Sequence, residues 1–329
     1  MTTIQDAIHY LEGIAPPRYQ EAYDNAGLLV GDAAADLTGI LTCLDATEAV
    51  IDEAADKDCN LVVAHHPLIF KGLKRLTGSD YVQRCVQKAI RRDVAIYAIH
   101  TNLDNVLHRG VNERIAQRLA LQHYRLLAPK PVQRKVEVFM PAAESPELLK
   151  RLHTAGLHGH PAQGGQLRLE GLVDEDQLPE ISQWIGGHTM YSYPVDQPSE
   201  QVGAGMVGEL PEPMDDLDFL YFLKDRMQTK MVRHTRLLGR PVQRVALCGG
   251  AGSFLLPKAR QAGAQVFITG DYKYHDFFDA EDQILIADIG HYESEQFTIP
   301  LLRELLSEKF PNFAVHLTEV QTNPVQYLF

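Results

Sequence analysis

The sequence predicts an α/β fold with largely parallel sheets, interrupted by a small ferredoxin-like α+β module. Three observations predict it. The first third of the 329 residues alternates apolar, strand-like runs with helical patterns, the last third does so again, and the middle closes on its own strand–helix order. Strand–helix–strand alternation requires crossover connections, and these produce parallel sheets covered on both faces.

In the first third, residues 37–44 read as a strand, 48–55 as a helix, 60–64 as a strand, 81–91 as a helix and 93–99 as a strand. The strand runs are rich in Val, Ile and Leu, as buried parallel strands are. In the last third, residues 244–248, 265–269 and 283–289 read as strands and 253–262 as a helix. A long helix over roughly 294–308 then ends at Phe310-Pro311. In the middle, 135–140 alternates as a strand and 146–155 reads as a helix. A Gly- and His-rich loop fills 156–165, followed by a strand at 166–173, a helix at 175–185 and a strand at 189–195. The Pro/Gly-rich stretch 197–213 is expected to return the chain to the larger domain. The predicted domains are a discontinuous core, 1–133 with 199–329, and an insert, 134–198.

Composition excludes several function classes. Lys and Arg number 31 against 43 Asp and Glu, a net charge of −12, so the dense basic footprint of a nonspecific nucleic-acid binder is missing. Apolar runs fall short of the ~20 residues that span a bilayer, and residues 1–10 lack a signal-peptide pattern. Four dispersed cysteines without a Cys-x-x-Cys are read as reduced thiols of a cytoplasmic protein. Histidine stands out, with 14 copies, several grouped with carboxylates.

The strand 60–64 ends in His65-His66-Pro67, and the strand 93–99 ends in His100-Thr101-Asn102-Leu103-Asp104. Ligands of α/β sheets gather at the C-terminal ends of parallel strands, so His65, His66, His100 and Asp104 are expected on one rim. The third strand end, 283–289, leads into Gly290-His291-Tyr292-Glu293-Ser294-Glu295. There His291 and Glu295 are four apart and share one helical face. An isolated His-His pair is usually a pair of core or solvated histidines, and a first-turn Glu usually serves the helix dipole. Three strand ends each carrying such groups point instead to a metal. Three His and two carboxylates without Cys suit Zn, Fe, Mn, Co or Ni. Five such ligands exceed what one open catalytic ion takes, which favours a pair of divalent ions.

Five runs occur in order: Tyr23-Asp24-Asn25-Ala26-Gly27-Leu28, His65-His66-Pro67-Leu68-Ile69-Phe70-Lys71, His100-Thr101-Asn102-Leu103-Asp104, Thr269-Gly270-Asp271 through His275, and Gly290-His291-Tyr292 through Glu295. Together they resemble the NGG-one-interacting-factor-three-like family of dinuclear metal-centre proteins, called GTP cyclohydrolase I type 2 homologues. The resemblance implies that His65, His66, Asp104, His291 and Glu295 ligate two metal ions between two α/β lobes. It implies a homohexamer, a trimer of dimers, and makes the middle segment a PII/CutA-like insert.

Other residues near these motifs are weaker candidates. His275 and His100 are candidate proton shuttles. Lys71, Lys74 and Arg75 are candidates for holding a small anionic substrate, although basic loop residues are more often simply solvated. Gly249-Gly250-Ala251-Gly252-Ser253 has the layout of a phosphate-holding nest, but close turn-to-helix packing explains its glycines equally well. His153, His158 and His160 read as a solvated group. The expected function is metal-dependent hydrolysis of a small anionic, nucleotide- or phosphoester-like molecule; the alternative is a non-enzymatic metal-binding or regulatory assembly, or a metal chaperone.

Overall fold

The computed structural model describes residues 2–328. The chain divides into two compact units, Met1–Ala128 with Gly203–Phe329, and Pro129–Val202. Among the described residues no helix is long and apolar enough to cross a membrane.

The larger unit holds two sheets. The first runs in the order Gly27–Val30, Ala95–Ala98, Leu61–Ala64, Gly39–Cys43 and Ala314–Leu317. Its last four strands are mutually parallel, and Gly27–Val30 pairs antiparallel at one edge. The three central strands are buried at every position, as their unbroken apolar runs require. Helices Glu48–Asp56 and Tyr81–Arg92 cover one face, where Val50, Ile51, Val86 and Ala89 meet Leu41, Val62 and Ile96. Their starts are set by N-caps: Thr47 Oγ1 accepts from the Val50 amide and Asp80 from the Gln83 amide. On the other face, Ile40, Leu61, Val63 and Tyr97 join a core that also holds Val245, Ile268 and Leu285 of the second sheet.

The second sheet runs Arg233–His234, Leu285–Asp288, Val266–Gly270, Val242–Ala251, Pro198–Met214 and Gln122–Pro131. Leu285–Asp288, Val266–Gly270 and Val242–Ala251 are mutually parallel; Arg233–His234 and Pro198–Met214 flank them antiparallel. This sheet is therefore mixed, not largely parallel. The Pro/Gly-rich stretch expected to return the chain to the larger domain lies largely in the long strand Pro198–Met214. Its glycines read as loop signals, but they let neighbouring chain approach: a Cβ on Gly208 would lie 3.0 Å from that of Tyr124. The single long helix expected after residue 293 is two helices, His291–Glu295 and Thr298–Lys309.

Register positions the rim. Cys43, Ala64 and Ala98 are paired neighbours across three parallel strands. Pairing continues past the strands, with the amides of His65 and His66 donating to the carbonyls of Cys43 and Leu44, and the Ile99 amide to Ala64. Asp45, the histidine pair and His100 therefore emerge at one level.

The unit Pro129–Val202 has a four-stranded antiparallel sheet ordered His158–Ala162, Gln166–Asp174, Gln133–Pro141 and Thr189–Pro194. Its own core gathers Val136, Val138, Leu152, Leu169 and Ile181. The Gly- and His-rich segment expected as a loop contains the strand His158–Ala162. Backbone pairing with Gln166–Asp174 dictates this strand where side-chain alternation does not.

Candidate metal centre

His65 is fully buried at the end of its strand. Its Nδ1–H donates to the Ile99 carbonyl at 2.9 Å, which selects the tautomer whose Nε2 lone pair points away from that bond. Burial holds this imidazole below its ordinary pKa, so it is neutral at pH 7. Its Nε2 lies 3.6 Å from Asp104 Oδ1 and 3.8 Å from Glu295 Oε1. Both His65 Nε2 and Asp104 Oδ1 are buried without a hydrogen-bond partner. Two converging buried acceptors with no donor are costly unless a cation joins them.

His66 donates through Nδ1 to Asp45 Oδ1 at 2.8 Å and places Nε2 2.9 Å from Glu295 Oε2. His291 donates through Nδ1 to Asp271 Oδ2 at 2.7 Å and places Nε2 3.1 Å from the same Glu295 oxygen. Burial opposes their protonation. Hydrogen bonds to Asp45 and Glu295 override it and hold His66 up at about 9. The charge of Glu295, with the Asp271 bond, holds His291 up at about 11. Burial would raise Glu295, but the surrounding histidines, His291 first, hold its carboxyl well below the usual range. Asp104 moves the other way, raised by burial and then by the charge of Glu295.

His100 also belongs to the cluster. Its Nδ1 donates to Asp24 Oδ1 at 2.7 Å, and its ring centre lies 5.4 Å from those of both His65 and His66. All four histidines thus tie one nitrogen to an oxygen acceptor, the arrangement that orients metal-ligating imidazoles. Three groups each present ligand atoms within 4.8 Å of one another: His65, His66 and His100; His66, His291 and Glu295; and His65, Asp104 and Glu295. These nitrogen and oxygen donors, and the unpartnered pair among them, fit a metal ion of the Zn, Fe, Mn, Co or Ni type.

Glycines make room for Glu295. Gly250 has a φ of +63°, and a Cβ there would stand 2.3 Å from Glu295 Oε1. The amides of Gly249, Gly250 and Gly252 donate to Asn112, Ser294 and Thr269 side chains. This turn therefore serves packing around Glu295, and its amides are already engaged by protein groups.

The five sequence-predicted ligands and His100 come together; the remaining candidates lie elsewhere. His275 is exposed on the turn Tyr274–Ala280, its ring against that of Tyr274. From the same loop it is Asp271 that reaches His291. Lys71, Lys74 and Arg75 are exposed and do not line the cavity of about 960 Å³ beside the cluster, whose walls include His66, His100, His291 and Glu295. Among the described residues, the guanidinium in that wall is that of Arg233, joined to Asp288. Sequence reasoning passed over Asp24, Asp45 and Asp271 as orienting groups. Asp45 and Asp271 each stand just beyond a strand end, the signal already used for the histidines.

The profile of the family described as Duf34/NIF3 (NGG1p interacting factor 3) matches residues 2–324. A Staphylococcus epidermidis protein named GTP cyclohydrolase 1 type 2 homolog is 31% identical over 366 residues, covering 98% of this chain and 99% of its own. A Bacillus subtilis protein of the same name is 30% identical, with 98% of each covered. The crystal structure of a Bacillus cereus protein related to NIF3 superposes with a TM-score of 0.84 at 29% identity, over 100% of this chain and 99% of that one. With the motifs gathered in one cluster and the likeness running the length of the chain, this protein belongs to the Duf34/NIF3 family.

Proposed function

We propose that the cluster is a dinuclear metal centre serving hydrolysis of a small molecule. The observation that carries this reading is the position of Glu295. Its Oε2 faces His66 and His291 at 2.9 and 3.1 Å, while its Oε1 faces His65, beside Asp104. With one oxygen toward each ligand group, Glu295 would help hold metal together with His65 and Asp104 on one side and with His66 and His291 on the other. Metal held by these residues would supply Lewis acidity for hydrolysis of a carbonyl or phosphoryl group. The chain's own part is orientation: Asp45 and Asp271 fix the two outer imidazoles, and the Ile99 carbonyl fixes the inner one. His100, held by Asp24 at one nitrogen, is the group best placed to move a proton beside the centre. Elemental analysis of protein purified without chelator, followed by a screen of phosphoester, nucleotide and amide substrates, tests the reading. Two ions per chain and metal-dependent turnover are expected; a chain that stays below half an ion after reconstitution overturns it.

One observation favours the second reading, a metal-binding regulatory assembly. The cations expected to hold an anionic substrate, Lys71, Lys74 and Arg75, stand outside the cavity. Metal uptake without turnover across the screen would select this reading. The β-α-β-β-α-β order and the antiparallel sheet of Pro129–Val202 support its reading as a ferredoxin-like, PII/CutA-like insert. Family likeness supports a homohexamer.

A further inference from the structure

Asp45 is held from two sides. Its Oδ1 accepts from His66 Nδ1 at 2.8 Å, and its Oδ2 accepts from the Thr322 hydroxyl at 2.7 Å. The next residue, Asn323, donates its side-chain amide to Glu293 Oε1 at 3.1 Å. Glu293 is buried and lies between His291 and Glu295 on the short helix that carries both. Two consecutive side chains therefore reach two carboxylates, one beyond the strand Gly39–Cys43 of the first sheet, the other beyond Leu285–Asp288 of the second.

The segment bearing them is anchored. The Thr318 amide donates to the Thr42 carbonyl at 3.0 Å, and the Glu319 amide to Glu53 Oε1 at 2.9 Å. Lys57 pairs with Glu319 at 2.9 Å, and Val320 packs against the core under the first sheet. Beyond Asn323, its own Oδ1 accepts the Val325 amide at 3.0 Å, closing a turn. Residues 322–325 then line the cavity beside the cluster.

We propose that residues 318–327 are a positioning element of the metal centre. Thr322 acts through Asp45 to set the His66 ring, and Asn323 acts through Glu293 to set the helix of His291 and Glu295. The physical reason is rotational. Asp45 is a third exposed, so with only one oxygen engaged its carboxylate swings in competition with water. The Thr322 hydroxyl removes that freedom, and the imidazole inherits the fixed orientation. Outer partners of this kind typically contribute 10–100-fold in metal affinity.

The inference rests on the cluster binding metal, and Co(II) added to the full-length chain tests the two separately. Expected for Thr322→Val is about 10–100-fold faster loss of Co(II) to a chelator and an altered visible spectrum of the bound ion. The melting temperature of the metal-free chain should barely move. Thr322→Ser, which keeps the hydroxyl, should restore both the rate and the spectrum. Asn323→Ala should accelerate loss independently, and provides the test if Thr322→Val folds poorly. Wild-type rates and spectra in both Thr322→Val and Asn323→Ala overturn the positioning role while leaving the centre intact, as does a Thr322→Ser chain as defective as Thr322→Val. A wild-type chain that takes up no Co(II) overturns the metal reading itself, and the positioning role with it.

Discussion

His66 Nε2 lies 2.9 Å from Glu295 Oε2, although 229 residues separate the two in the chain. The contact joins the rim of one sheet to the helix beyond the other, and Glu295 is almost wholly buried where it forms. Glu295→Gln keeps the shape and removes the charge that both His66 and His291 face. Metal content is expected to fall from about two ions per chain to below one, measured by elemental analysis after reconstitution and desalting. Full occupancy in the variant would show that Glu295 is not a ligand. His65→Ala with His291→Ala should abolish uptake, because the pair removes one imidazole from each ligand group.

Metal uptake should expel protons. In the metal-free chain His66 is held up at about 9 and His291 at about 11, so both carry a proton at pH 7. An imidazole must be neutral to bind metal, so loading releases roughly two protons and affinity climbs as pH rises toward those values. The stability of the metal-free chain runs the opposite way. Folded-state values above the ordinary imidazole range contribute stability that is complete below about 6.5 and fades as pH rises through 9 and 11. Calorimetric titration with a divalent ion at pH 7, in buffers of different ionisation enthalpy, counts the protons. A count of zero contradicts the geometry around Glu295.

The part of the candidate site written in the sequence is the part placed by strand ends. His65, His66 and His100 follow parallel strands in register, and His291 and Glu295 follow a third strand in the second sheet, so local pattern and topology rules suffice. What pattern could not reach depends on tertiary contact. Asp45 and Asp271 are single aspartates at turns, a place where aspartate is common for backbone reasons alone. Thr322 reaches Asp45 across 277 residues with no periodicity to announce it. His275 was singled out by a run of neighbours that matched a motif; the chain turns at Asp271, φ +55°, and His275 is exposed. The strand Pro198–Met214 was hidden for a similar reason: its glycines are required by neighbouring chain, not by turns.

Pro129–Val202 has its own buried core and a closed strand order, so metal uptake by the candidate cluster should not depend on it. Replacing residues 134–198 with a short Gly/Ser linker is expected to leave a soluble chain with undiminished metal content. An insoluble or metal-free product would mean that the larger unit needs the smaller one.

Tyr23, Phe254, Tyr274 and Phe278 are each more than half exposed on the single chain. Exposed aromatics of this number suit subunit contacts. Light scattering should return a mass near six times 36.8 kDa. A stable species of one chain's mass that keeps its metal would rule out an assembly requirement.

Gly250 separates backbone strain from crowding at the centre. At φ +63° any side chain costs about 1–2 kcal/mol in a left-handed conformation, and here the added Cβ would also stand 2.3 Å from Glu295 Oε1. Gly164 provides the control: its φ is +74°, but nothing lies within 4 Å of where its Cβ would be. Both Gly250→Ala and Gly164→Ala should therefore lose stability through the left-handed backbone, Gly250→Ala by more because of its added contact, read from denaturant unfolding of the metal-free chains. Only Gly250→Ala should also lose metal, because relieving its contact moves the carboxylate that His65, His66 and His291 surround. Equal metal content in the two variants would mean that the turn at Gly249-Gly250 does not set the position of Glu295. Loss confined to Gly250→Ala would tie the glycine pair in this sequence to the carboxylate at the middle of the site.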